Sequence, residues 1–152
     1  MIFSENVFVQ TKLNSYKLDN VSAHFIQGSV KNIERKDDKT YITTDNLKGL
    51  NNGNFVIFIE KEGYLEDKYL EGKKFEIIDI IGKQLVIKQK IKLKLDTHKC
   101  SWCLGKDDVS PKDIFRLQKG SDDDRKIVAV YCIQDCKLCL DIIKHKYIFR
   151  YI

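Results

Sequence analysis

The sequence predicts a mixed α+β chain: one short helix, a β-rich middle closing as a small antiparallel barrel, and a helical C-terminal part. Three observations point there. Apolar residues recur at helical spacing in the last third, at Val128, Tyr131, Leu138 and Ile142. The middle holds short apolar runs separated by glycine-containing breaks, the pattern of strands joined by tight turns. A single proline, Pro111, leaves the regular elements elsewhere uninterrupted.

Residues 1–28 read as an N-terminal segment ending in a helix. Ser15 is placed to cap it, Leu18, Val21, Ala23 and Phe25 supply its apolar side, and Gly28 is expected to stop it. Residues 29–96 read as a β subdomain. A continuous apolar strand over 55–59 lies between the turn residues Asn51, Asn52, Gly53 and Asn54 and a second break at Gly63. After a turn at 71–74 comes a strand over 75–81, and Gly82 and Lys83 separate it from 84–87 at hairpin spacing. The alternation then continues. Leu85, Ile87, Ile91, Leu93 and Leu95 face one way and Lys88, Lys90, Lys92 and Lys94 the other, which predicts one more strand.

Residues 97–152 read as the helical part. Ser110, Pro111 and Asp113 supply a cap, a first-turn proline and an acid at the third helical position, and Gly120 ends that helix. Ser121 with Asp122, Asp123 and Asp124 starts the next, whose positive N-terminal end favours acids. It is expected to run to about Lys146, where His145 and Lys146 suit the negative end.

Composition bounds the functional classes. With 152 residues the chain can hold one modest core or two small subdomains. A hydrophobic fraction of 43% excludes disorder by composition. The 27 Lys+Arg against 22 Asp+Glu leave a net charge of +5, which permits a nucleic-acid partner without demanding one. The opening residues show neither a basic region nor a long apolar one, so no secretory signal is expected, and the five cysteines are expected as reduced thiols. No apolar run approaches the roughly 20 residues of a membrane span.

The sharpest signal is an acid out of place. At helical period Val128, Tyr131, Asp135, Leu138 and Ile142 share one stripe, and the middle member is a carboxylate. An unpaired charge on a buried stripe costs several kcal/mol, so Asp135 needs a metal ion, a basic side chain or a proton. Tyr131 lies one turn before it, within reach of the same site.

Tyr-x-x-x-Asp on such a helix resembles the third exonuclease motif of the B-family DNA polymerases, with Tyr131, Cys132, Ile133, Gln134, Asp135 and Cys136 matching it almost letter for letter. The run 101–115, from Ser101 and Trp102 to Phe115, resembles the segment leading into that motif, and the run 12–25 resembles the helix after the family's second exonuclease motif. The likeness is closest to members from large DNA viruses. It implies a partial ribonuclease-H-like 3′–5′ proofreading domain, with 29–96 as an inserted barrel. It further implies that Asp135 ligates Mg²⁺ or Mn²⁺ in a two-metal site and that Tyr131 positions the attacking water. The partners implied are a DNA primer end and the remainder of a longer polymerase, and the location implied is a viral replication compartment in the host cell. The acids of the first two motifs are not found before Lys12, so the chain is expected to be an internal piece, inactive alone and marginally stable.

Other features have plainer readings beside functional ones. The lysine face at 88, 90, 92 and 94 can track a phosphate backbone or serve as a solvated, edge-protecting face. On that basis a small barrel that binds nucleic acid without catalysis is the alternative function. Cys100 and Cys103 have zinc-knuckle spacing, but Cys132, Cys136 and Cys139 lie inside a helix pattern, and buried thiols are the plainer reading. Asp107 and Asp108 are adjacent and point different ways, and His24, His98 and His145 have no metal-ligand spacing.

Overall fold

The computed structural model describes residues 15, 17–106 and 109–148. The elements in chain order are α1 (Leu18–Phe25), β1 (Gln27–Lys36), β2 (Lys39–Thr44), β3 (Phe55–Glu62), β4 (Leu65–Lys68), a 3-10 turn (Tyr69–Gly72), β5 (Phe75–Ile81), β6 (Gln84–Ile87), β7 (Lys99–Gly105), α2 (Pro111–Gln118) and α3 (Asp122–Ile148). The chain is thus mixed α and β, with one seven-stranded sheet and three helices among the described residues.

Every strand pairing among the described residues is antiparallel. The pairings run β3–β5–β6–β2–β1–β7 and return to β3, so six strands form a closed ring and β4 adds to β3 at the margin. Closure leaves no open edge on those six strands. Register shifts between Val30 and Asn32 in β1 and between Ile77 and Asp79 in β5 mark bulges, which bend strands around a barrel. The β5–β6 turn is the expected two-residue hairpin, with Gly82 in the left-handed region at φ 59°.

Inward positions alternate along the strands. Val56, Phe58, Phe75, Ile77, Leu85, Ile87 and Trp102 are buried and form the centre of the core. The Trp102 indole N–H donates to the Thr44 hydroxyl at 2.7 Å, and that hydroxyl donates to the Ser29 carbonyl at 2.9 Å, so the buried polar atoms are satisfied. Among the described residues no buried side-chain nitrogen or oxygen lacks a partner.

Several sequence expectations are corrected here. Gly28 does not stop the helix. α1 ends at Phe25, and Gly28 sits in β1, where an added Cβ would lie 2.9 Å from the Trp102 ring, so close packing explains the glycine. The Ser15 hydroxyl accepts from the Lys17 amide at 3.3 Å, while Lys17 holds the cap position. The strand expected through Lys88, Lys90, Lys92 and Lys94 stops at Ile87. Beyond it the alternation persists in burial, with Ile91 and Leu93 inside and all four lysines exposed. Side chains replace the ladder there: Thr40 donates to the Gln89 carbonyl, Arg35 to the Ile91 carbonyl, and the Lys92 and Lys94 amides donate to Tyr69 and Glu60. The start of the part expected to be helical, 97–106, contains β7, which pairs with both β1 and β3.

The helical expectations hold elsewhere. The Ser110 hydroxyl accepts from the Asp113 amide at 3.1 Å and donates to its carboxylate at 2.7 Å. Ser121 and Asp124 form the same reciprocal cap on α3. α2 packs on α3, and α1 packs on β7 and α3. The runs 12–14 and 107–108, and residue Tyr16, fall outside the described residues, as do the side chains of His145 and Lys146. No described helix is long and apolar enough to cross a membrane.

Candidate functional site

Three parts of the chain meet where β7 leaves the barrel. Gly105 closes β7, and a Cβ there would lie 3.1 Å from the Ile57 side chain and 3.4 Å from that of Lys74, so the strand end fits closely between them. The Lys74 ammonium donates to the carbonyl of Lys106, the next residue, and the Leu104 amide donates to the Ile26 carbonyl at 2.9 Å. These bonds fix the end of β7 and the end of α1 relative to each other. α1 contributes Asp19 from its first turn.

α3 contributes the stripe. Val128 and Ile142 are buried, and Tyr131, Asp135 and Leu138 are half-buried, while the residues between them are largely exposed. The stripe read from helical spacing is therefore the face that α3 turns inward. Ile142 and Leu138 join the same core cluster as the barrel residues.

The partner of Asp135 is Lys106. Its ammonium lies 3.3 Å from an Asp135 carboxylate oxygen and 3.7 Å from one of Asp19. It donates to the Tyr131 hydroxyl at 3.2 Å and sits 5.4 Å from the centre of that ring. The Lys106 side chain is 15% exposed and that of Asp135 30%. Burial alone would favour a neutral amine, but hydrogen bonds to Tyr131 and Asp135 and the Asp135 charge outweigh it and raise the Lys106 pKa. Of the three partners the sequence allows for Asp135, the structure shows the basic side chain. Lys106 lies in the run 101–115 that resembles the segment before the motif, but its distance of 25 residues from Tyr131 hides it as the partner of Asp135.

A cleft runs beside this cluster, between the loop carrying Asn51, Asn52 and Asn54 and the α3 residues Gln134, Asp135 and Asp141. Its walls are mixed, with Phe55, Leu104 and Leu138 beside the polar residues. A pair of divalent ions does not fit the described residues, because an ammonium takes the Asp135 carboxylate. Among those residues no group of three or more His, Cys, Asp or Glu side chains is placed to hold a metal.

The remaining candidates separate in space. Cys100 and Cys103 are buried in β7, where burial pushes both thiols up, and Cys132, Cys136 and Cys139 are exposed on α3. Lys90 pairs with Asp38 at 3.6 Å. His98 contacts Glu62 at 3.3 Å, and His24 packs edge-on against Phe25. Asp107 and Asp108 lie outside the described residues.

Comparison with known proteins finds relatives among viral DNA polymerases. The chain is 40% identical over 127 residues to the DNA polymerase of Pyramimonas orientalis virus, covering 84% of this chain and 9% of that protein. It is 41% identical over 128 residues to the DNA polymerase of Phaeocystis pouchetii virus, covering 82% of this chain and 12% of that protein. The chain is similar to one segment of viral DNA polymerases. A third relative, 30% identical over 140 residues, is the DNA polymerase catalytic subunit of Alcelaphine herpesvirus 1. The chain spans between 9% and 13% of the length of the polymerases it matches. No family model matches it.

Proposed function

We propose that this chain acts as one segment of a viral B-family DNA polymerase, the part of the 3′–5′ proofreading domain around the third exonuclease motif. The observation that carries the proposal is the α3 stripe: Tyr131 and Asp135 face the same ammonium beside a cleft, in a chain whose relatives are viral DNA polymerases. In this reading Asp135 is one ligand of a Mg²⁺ or Mn²⁺ site whose other acids lie outside the described residues, and Tyr131 orients water by hydrogen bonding. DNA with a 3′ end is the substrate. The rest of the polymerase supplies the ribonuclease-H-like sheet, palm and fingers. Exposed apolar side chains on the outer side of α3, Ile133 and Leu140 at 66% and 55%, are in keeping with more chain covering it.

The test is a chimera in which this chain replaces the matching segment of the Phaeocystis pouchetii virus polymerase. The chimera should degrade single-stranded DNA from its 3′ end. Asp135→Ala should slow that by at least about 100-fold while leaving nucleotide addition nearly unchanged, since a lost metal ligand removes several kcal/mol of transition-state stabilisation. Undiminished degradation by the Asp135→Ala chimera would falsify the assignment.

The closed barrel with Lys88, Lys90, Lys92 and Lys94 exposed favours a second reading, a nucleic-acid-binding module. Under it the isolated chain binds DNA with an affinity that falls steeply with salt, and replacing those lysines by glutamine flattens the slope.

A further inference from the structure

We propose that Lys106 is a built-in counter-cation, clamped between Asp19 and Asp135, that keeps divalent metal off Asp135 until other groups displace it. The inference rests on the reading of Asp135 as a metal ligand, and it concerns what this chain does with that carboxylate by itself. The ammonium touches three oxygens from two helices: Asp135 at 3.3 Å, Asp19 at 3.7 Å and Tyr131 at 3.2 Å. These are the oxygen types a hard cation takes, and a lysine nitrogen offers them one charge without any coordination demand. The ammonium itself is mostly shielded, with 15% of the Lys106 side chain exposed, while the Asp135 and Asp19 carboxylates are 30% and 49% exposed. It is also pinned from behind, because Lys74 holds the Lys106 carbonyl and Gly105 allows the close packing there. A surface lysine would swing away at little cost, and this one is held at its backbone and at its tip.

A metal entering at Asp135 would bring two positive charges close to the ammonium. Both cannot occupy the site, so metal binding and the Lys106 pairing exclude each other. Removing the ammonium leaves two carboxylates facing one space, which a divalent cation relieves. Asp19 thereby becomes part of the site, a role the sequence does not mark.

Titration of the full chain with Mn²⁺, followed by the loss of the free-ion electron paramagnetic resonance signal, tests the proposal. The wild-type chain should take up no more Mn²⁺ than Asp135→Asn. Lys106→Met should gain one site per chain, at least about tenfold tighter than any in the wild type. That site should vanish in Lys106→Met combined with Asp135→Asn, and Lys106→Arg should still exclude the ion. Wild-type uptake through Asp135 as tight as that of Lys106→Met overturns the exclusion while leaving Asp135 a metal ligand. A folded Lys106→Met that gains no site overturns it as well. Should circular dichroism show that Lys106→Met does not fold, the wild type against Asp135→Asn decides alone: Asp135-dependent uptake overturns the proposal and its absence supports it. A chimera whose exonuclease ignores Asp135→Ala overturns the functional reading instead and leaves the Lys106 pairing standing.

Discussion

The barrel and α3 treat their apolar residues differently. Val56, Phe58, Ile77, Leu85, Ile87 and Trp102 are fully enclosed by the ring of strands. α3 encloses Val128 and Ile142 but exposes Ile127, Val130, Ile133, Leu140 and Ile143 on its other sides. A sheet that closes on itself satisfies its backbone and its inner face together. A helix gains only the stripe its neighbours cover. The barrel is therefore a closed structural unit, and α3 presents exposed apolar side chains among lysines and a carboxylate whose cation is borrowed from the end of β7.

The largest effect should come from the barrel centre. Trp102→Ala removes the biggest enclosed side chain and the 2.7 Å indole hydrogen bond to Thr44, so a loss of about 3–5 kcal/mol in denaturant unfolding is expected. A loss below about 1 kcal/mol would show that the ring is loosely packed. Gly28→Ala pushes a methyl against the Trp102 ring and should cost about 1–3 kcal/mol by the same measurement.

Cap removal comes next. Ser110→Ala should destabilise the α2 end by about 1 kcal/mol. The Ser110 hydroxyl, then Arg116, hold the Asp113 carboxyl below its usual range. A depressed carboxylate contributes above its ordinary pKa of about 3.9 and stops contributing as pH falls through the lower folded value. The α2 end should thus fray only below about pH 4, seen as a loss of amide protection at Asp113. Ile133→Gln should change stability by less than about 0.5 kcal/mol and reduce self-association in light scattering, because that side chain touches mostly solvent. A large loss there would mean that α3 is already covered on its outer side.

Local chemistry was legible in the sequence wherever neighbours along the chain decide it. The Gly82 hairpin, the Ser110 and Ser121 caps and the inward stripe of α3 all depend on residues within a few positions of one another. What stayed hidden depends on distant pairings. β7 falls in the part read as helical, 97–152, and only its pairing with β1 and β3 makes it a strand. The run through Lys88 and Lys94 has strand alternation, but its backbone groups meet side chains of Arg35, Thr40, Glu60 and Tyr69 and not a neighbouring strand. Asp135 was identifiable as an acid needing a partner, and only the fold brings Lys106 and Asp19 to it.

The most direct test of an incomplete site on a complete barrel is the isolated chain incubated with 3′-labelled single-stranded DNA and Mn²⁺. The expected result is intact DNA in a sample whose unfolding is cooperative. Progressive 3′–5′ shortening that disappears in Asp135→Ala would contradict the account, because it would mean that this chain assembles a working site by itself.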